Sequence, residues 1–494
     1  MAGGKIDVCL IPDLYMNFSS TRKFLLFFIP YLILFCITSQ NALFWDTVQF
    51  GGDHANWYYS TNFQYLLLPD FCDSGHLPTF GMYIAAVWKI FGRGIFQSHA
   101  ALLPFAAMIV WQSVRVSEFL FPGENKKSTG LTLVLLTQAV LMTQCTLVSP
   151  DVMLVALFLL AVNSILKGNK VYLTIAIIGL ALVSNRAIML AIALYFFSVY
   201  VTVRKLNLPI KKWFSYLFKE IIYFLPAAII ALCYFAYHYH MKGWVAAPIH
   251  STWKKSFSMD DISRMPMNIV TLGWRIVELG NIVTVIVLCF TLFLWWKGKI
   301  RFKDANSKMM AQCLLVLLLT VFFLTAFTLI FNFRLIAQRY LMPLYLSIGI
   351  LAVYLLFLSD FKRKKVLMAL MVLVQLSGHF WTYPQEKSQG WEGTLGHLFY
   401  YPMRKDFMAY MKQHGIQKQD VATSGNMAKS EYRTDILTDT IDYKDIEADS
   451  GKYVWYCNVA NSLNKSVHYY YEHLEVVKEE KRGYVVMVLF KRPD

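Results

Sequence analysis

Between its first two long apolar stretches the chain gathers Asp46, Asp53, His54, Asp70, Asp73 and His76 among tryptophans and tyrosines. A carboxylate in such a place can take a proton from a hydroxyl nucleophile as general base. Asp46, a few residues past the first apolar stretch, is the first candidate, and Asp53 is the second for the same role. The turn Gly75-His-Leu-Pro78 fixes His76 where it can meet a phosphate or help hold a metal. Asp70, Asp73, His54 and His76 together are chemically suited to a divalent cation, although their spacing matches no strong ligand motif. Ser149-Pro-Asp151 opens a later apolar stretch, so Asp151 either caps a helix or presents another carboxylate. Arg186, Arg334 and Arg339, the last followed by Tyr340, sit at the edges of further stretches. Arginine pairs bidentately with phosphate and keeps its charge. The plainer reading is snorkelling to headgroups.

These side chains need a scaffold, and composition says which kind. The 494 residues are 57% hydrophobic and only 16% charged, well under the quarter usual for soluble domains. The chain reads as a polytopic α-helical membrane protein. A net charge of +16 invites a nucleic-acid partner. Its lysines and arginines, however, sit in short clusters between apolar runs, which is topological information and excludes that class.

Apolar runs predict about eleven transmembrane helices, near 24–39, 97–121, 129–148, 151–166, 171–184, 187–203, 220–241, 276–296, 309–331, 338–358 and 366–383. The first follows Arg22-Lys23 and has no clear cleavage site after it, so it reads as an uncleaved span. With residues 1–23 inside, the inner loops collect Lys126-Lys127, Lys167, Lys170, Arg204-Lys205, Lys211-Lys212, Lys297 to Lys303 and Lys362 to Lys365. The outer 242–275 loop, with five basic residues, is the exception. This bias places loop 40–96 and the C-terminus outside. Most of the cysteines lie in apolar runs; only Cys72 and Cys457 fall in outer segments, where a disulfide between them is chemically open.

After Pro384 the composition turns polar. A short helix over 406–414, strands over 420–423, 453–459, 474–478 and 484–491, and a hairpin turn at 479–483 predict a small extracytoplasmic C-terminal α/β domain. The division is therefore 1–384, the membrane part with its outer loop 40–96, and 385–494.

Asp46 after the first span, Gly75-His-Leu-Pro78 before a juxtamembrane helix, Pro150-Asp151 opening a later span and Arg339-Tyr-Leu-Met-Pro343 late in the membrane part form an ordered set. In that order it resembles the GT-C glycosyltransferases. The likeness is to the family-39-like group that includes protein O-mannosyltransferases and the aminoarabinose transferase acting on lipid A. Two departures stand out: Thr47 follows Asp46 where the family often has Glu, and Leu77 replaces the first Pro of the family's usual His-Pro-Pro.

The resemblance implies a bacterial inner-membrane glycosyltransferase. It would move a sugar from a polyprenyl-phosphate donor to an extracytoplasmic hydroxyl of a lipid, glycan or protein, by inverting displacement and without a nucleotide. Asp46 would be the base, Arg339 and then Arg186 would hold the departing phosphate, Trp57, Tyr58 and Tyr59 would stack on sugar, and His76, Arg334 and Tyr340 would complete the substrate surface. No cofactor is required by this reading, while a divalent metal stays open. The competing class is a lipid or sugar transporter or flippase, against which stand the lack of an evident inverted repeat and the gathering of functional groups on one face.

Overall fold

The computed structural model describes residues 18–245, 262–331, 337–383, 389–446, 451–462 and 464–493. Arg334 lies outside the described residues.

Helix covers each of the apolar stretches, but not always as a span. Among the described residues six helices are long and apolar enough to cross a membrane: Ser20–Thr38, Ile95–Leu120, Pro150–Lys167, Asn185–Lys205, Ala305–Ile330 and Gln338–Leu358. Two bent pairs raise the number to eight, Ile210–Ile221 with Leu225–Lys242 (57°) and Met265–Val277 with Ile282–Trp296 (95°). Length and composition alone therefore leave some of the eleven expected runs uncounted, for local reasons. The run near 129–148 breaks between Asn125–Leu136 and Ala139–Gln144. Lys170–Val183 and Lys364–Ser377 have 14 residues each, about 21 Å at 1.5 Å per residue against a ~30 Å hydrocarbon core. The sharper bend is built by Leu279 and Gly280, both with positive φ. A Cβ on Gly280 would stand 2.1 Å from the Val374 carbonyl oxygen, so only glycine lets the two segments touch there.

Helix Met342–Leu358 is the apolar centre, buried along nearly its whole length. It packs against Asn125–Leu136, Ile282–Trp296 and Ala305–Ile330. Many outward side chains of the other long helices are large, apolar and exposed, among them Leu26, Ile33, Phe196, Phe323 and Phe327, as a lipid-facing surface requires.

Beyond the helices, a sheet of order β2-β1-β3-β5-β4 is formed by β1 Val421–Thr423, β2 Lys444–Asp445, β3 Tyr453–Cys457, β4 Glu475–Arg482 and β5 Val485–Lys491. The first three strands run parallel and the β4–β5 hairpin antiparallel. The hairpin turn is tighter than expected, Gly483-Tyr484 only. The predicted helix starts earlier, at Tyr400, and covers the sheet through Phe407 and Met411.

Candidate active site

The membrane and C-terminal parts meet over the first outer loop. Helix Phe18–Thr38 ends, and the chain turns through Trp45, a non-glycine residue with φ 51°. Thr47 steadies this turn, its hydroxyl donating to the Phe44 carbonyl and accepting from the Phe44 N–H. Such local strain persists only where the surroundings hold it. Asp46 follows directly. Farther on, Ser149 caps helix Pro150–Lys167 by accepting from the Asp151 N–H at 3.2 Å. The cap is thus supplied by Ser149, and the Asp151 carboxylate is left for side-chain partners. Ser184 caps the next site helix in the same way and sets Arg186 in its first turn. A short turn, Gln338–Leu341, carries Arg339 and Tyr340 at the entrance of the central helix.

These pieces converge. Arg339, only 5% exposed, pairs with Asp46, reaches Asp151 at 3.6 Å, and donates to Glu392 at 2.8 Å. Arg186 donates to Asp151 at 3.0 Å, and its guanidinium lies 3.7 Å from the centre of the Tyr340 ring. Asp46, Asp151, Arg186, Arg339 and Tyr340, drawn from four distant parts of the sequence, form one cluster. Asp46 is the most open of its acids, with 28% of its side chain exposed against 3% for Asp151.

Glu392 was not anticipated. It lies past the last apolar stretch in Gly390-Trp-Glu-Gly393, anchored where Gln144 donates to its carbonyl oxygen at 2.9 Å. The one signal was an acid between aromatic and glycine residues just after a predicted span. Burial, reinforced by Asp46 and Asp151 and opposed by Arg339, pushes its carboxyl up to about 8. The shift makes Glu392 the acid of the cluster most ready to hold a proton.

His76 stands beside this cluster. Its Nδ1 accepts from the Asn185 N–H at 3.5 Å, while the Asn185 side chain donates to the Gly75 carbonyl at 3.0 Å. Removal from water, with Arg186 and His54 nearby, pushes it down to about 4, so it is a neutral ring.

Several other candidates do different work. Asp53 is bound by Arg433 of the C-terminal domain, with Nε at 2.6 Å. Tyr58 is fully buried with its hydroxyl on the Leu66 carbonyl, so the core claims the ring proposed for sugar stacking. Trp57 packs beside Tyr65 and Phe71. The metal set disperses: His54 bonds the Cys72 carbonyl, Asp73 is taken by His238 and Lys242, and Asp70 by Lys242. Among the described residues no group of three metal-ligating side chains occurs. Cys72 and Cys457 are both buried free thiols, Cys457 inside strand β3, which rules out the disulfide between them in this structure.

From the arginines a narrow apolar cleft, with only about 30 Å³ of open space, runs between the helices. Leu154, Met189, Leu190, Val321, Leu324 and Leu329 line it, and Arg186, Arg339 and Tyr340 form its polar end.

No protein-family model matches the chain, and no curated protein matches it. Among solved structures it is similar to ArnT from Cupriavidus metallidurans. The apo crystal structure shares 10% identity at a TM-score of 0.49, over 95% of this chain and 98% of that one. The crystal structure bound to undecaprenyl phosphate shares 11% at 0.47, over 94% and 97%. With about nine residues in ten different, the side chains of the cluster itself carry the chemical reading.

Proposed function

We propose that this chain is a membrane-embedded glycosyltransferase that moves a sugar from a polyprenyl phosphate to an acceptor hydroxyl. The observation that carries the reading is the opening of the Asp46–Arg339–Asp151–Arg186 cluster onto an apolar groove. A ligand with a phosphate at one end and a long hydrocarbon at the other satisfies both halves. Arginines at the mouth match phosphate, and the groove removes isoprenoid carbons from water.

In the reaction the acceptor oxygen attacks the anomeric carbon. The bond from that carbon to the phosphate oxygen breaks, and its electron pair leaves on the phosphate. The acceptor proton passes to a carboxylate, for which Asp46, the open acid, is the first choice. Asp151 is the second carboxylate and also holds both guanidinium groups in place. Asp53 remains an alternative base only if its Arg433 partner is displaced. Arg339 and Arg186 offset charge growing on the leaving phosphate, the type of electrostatic help that dominates many enzymes. Protonated Glu392 donates a hydrogen bond without adding another negative charge beside the phosphate. His76 and Asn185 shape the wall, and Tyr340 carries Arg186 on its ring. In this reading residues 1–384 form the catalytic membrane part and residues 385–494 an extracytoplasmic domain, in a bacterial inner membrane.

The test is incubation of the purified protein with a panel of polyprenyl-phosphate sugars and candidate acceptors, following release of polyprenyl phosphate. Release by wild type and its loss in Asp46→Asn supports the assignment. Absence of release with every donor and acceptor, together with sugar-lipid movement in a two-sided vesicle assay, replaces it with the transporter reading.

A further inference from the structure

At the other end of the site helices lies a feature that the transfer reaction does not use. Helix Trp213–Ile221, preceded by the turn Ile210–Lys212, meets the following span Leu225–Lys242 at 57°. It is clamped to the bundle by one buried acid. Glu220 accepts from Lys170 Nζ at 2.6 Å, from the Ser198 hydroxyl at 2.7 Å and from the Thr202 hydroxyl at 3.1 Å. Ser198 lies twelve residues past Arg186 on helix Asn185–Lys205, about 18 Å along the axis. The clamp is therefore near the bilayer surface opposite the charged cluster.

The clamp fixes the helix's rotation and divides it into three faces. Glu220, Trp213, Tyr216 and Leu217 turn toward the protein, buried or half-buried. Ile210, Phe214, Phe218, Ile221 and Ile222 are exposed, Ile210 by 77% and Phe214 by 68%. Lys212, Ser215 and Lys219 are exposed on a third sector, with Lys211 at the helix entrance. At 100° per residue the apolar sector and the lysine sector are adjacent. A face of large apolar side chains continuous with a span lies at the hydrocarbon boundary, which a soluble partner cannot reach. Lysines beside it sit at headgroup depth, where each attracts negative charge by about 1 kcal/mol, or about fivefold.

We propose that Ile210–Ile222 is an interfacial helix that binds anionic phospholipid through Lys211, Lys212 and Lys219 with its apolar face in the acyl chains. This inference is independent of the transferase reading. The test is native mass spectrometry of the full-length protein released from detergent with equal phosphatidylglycerol and phosphatidylcholine. Wild type is expected to retain phosphatidylglycerol at least fivefold over phosphatidylcholine. Substitution of all three lysines by Ser is expected to abolish that preference, and substitution by Arg to preserve it. Thermal unfolding of each variant checks that the fold is intact. The same preference in the Ser variant, no preference in wild type, or a protein dimer lost in place of lipid would overturn the proposal. In a nanodisc, Phe214→Ser is expected to weaken the preference through lost insertion, and an unchanged ratio would count against the apolar face.

Discussion

Arg339 and Asp46 pair directly although 293 residues separate them in sequence. The pair ties the loop after the first long helix to the entrance of the central one. Because Arg339 also contacts Asp151 and Glu392, its guanidinium group is shared among three acids.

Removing that charge should be worse than removing any one acid. Arg339→Ala leaves buried carboxylates uncompensated, at a cost on the order of 3–5 kcal/mol. Arg339→Lys keeps the charge but not the fork, so the protein should fold and transfer at least tenfold more slowly. Denaturation midpoints and turnover, measured on both variants, separate the two effects. Equal stability of Arg339→Ala and wild type would show that the acids do not depend on it.

Asp46→Asn preserves shape and removes the base. Turnover should fall by about 10²–10⁴-fold while affinity for polyprenyl phosphate changes little. A variant that still turns over at the wild-type rate moves proton abstraction to Asp151 or Asp53.

Glu392 gives a pH signature. Its folded-state value of about 8 lies above its ordinary 4.5, so across that window the native state binds a proton that the unfolded chain releases. Stability from this group is full below the lower value and declines as pH rises toward the upper one. Thermal midpoints of wild type should therefore fall between pH 5 and 8, and Glu392→Gln should flatten the curve. Parallel curves for the two proteins would contradict the assignment.

Filling the groove should discriminate by chain length. Leu324→Trp narrows it without touching a charged residue. At about 0.8 kcal/mol per buried carbon, one excluded isoprene unit of five carbons weakens binding by up to about 10³-fold. Long-chain polyprenyl phosphates should lose affinity as inhibitors, while a short water-soluble analogue should not. Equal losses for both would place the hydrocarbon elsewhere.

Much of this arrangement was readable before any coordinates. Apolar length and clustered basic residues mark the helices, and acids or arginines at their ends stand out because charge near a bilayer is costly. That logic singled out Asp46, Asp151, Arg186 and Arg339, which the fold brings into one cluster. It missed Glu392 because a polar segment hides one more acid, and burial, which makes it unusual, is a tertiary property. It overvalued Tyr58 because an aromatic ring in a loop looks alike whether it stacks on sugar or fills a core. The number of spans is less legible, because a break such as Thr137-Gln138 interrupts a helix without interrupting hydrophobicity.

The C-terminal domain grips the first outer loop at several points. Arg433 holds Asp53, the Thr434 carbonyl accepts from the Leu43 N–H, and Arg93 donates to the carbonyls of Tyr432, Ile436 and Leu437. Together with Glu392, these contacts give biogenesis a direction. The loop after the first long helix lacks these partners until residues 392–437 have been made. A chain stopped before Glu392 lacks both that member of the cluster and the Arg433 partner of Asp53.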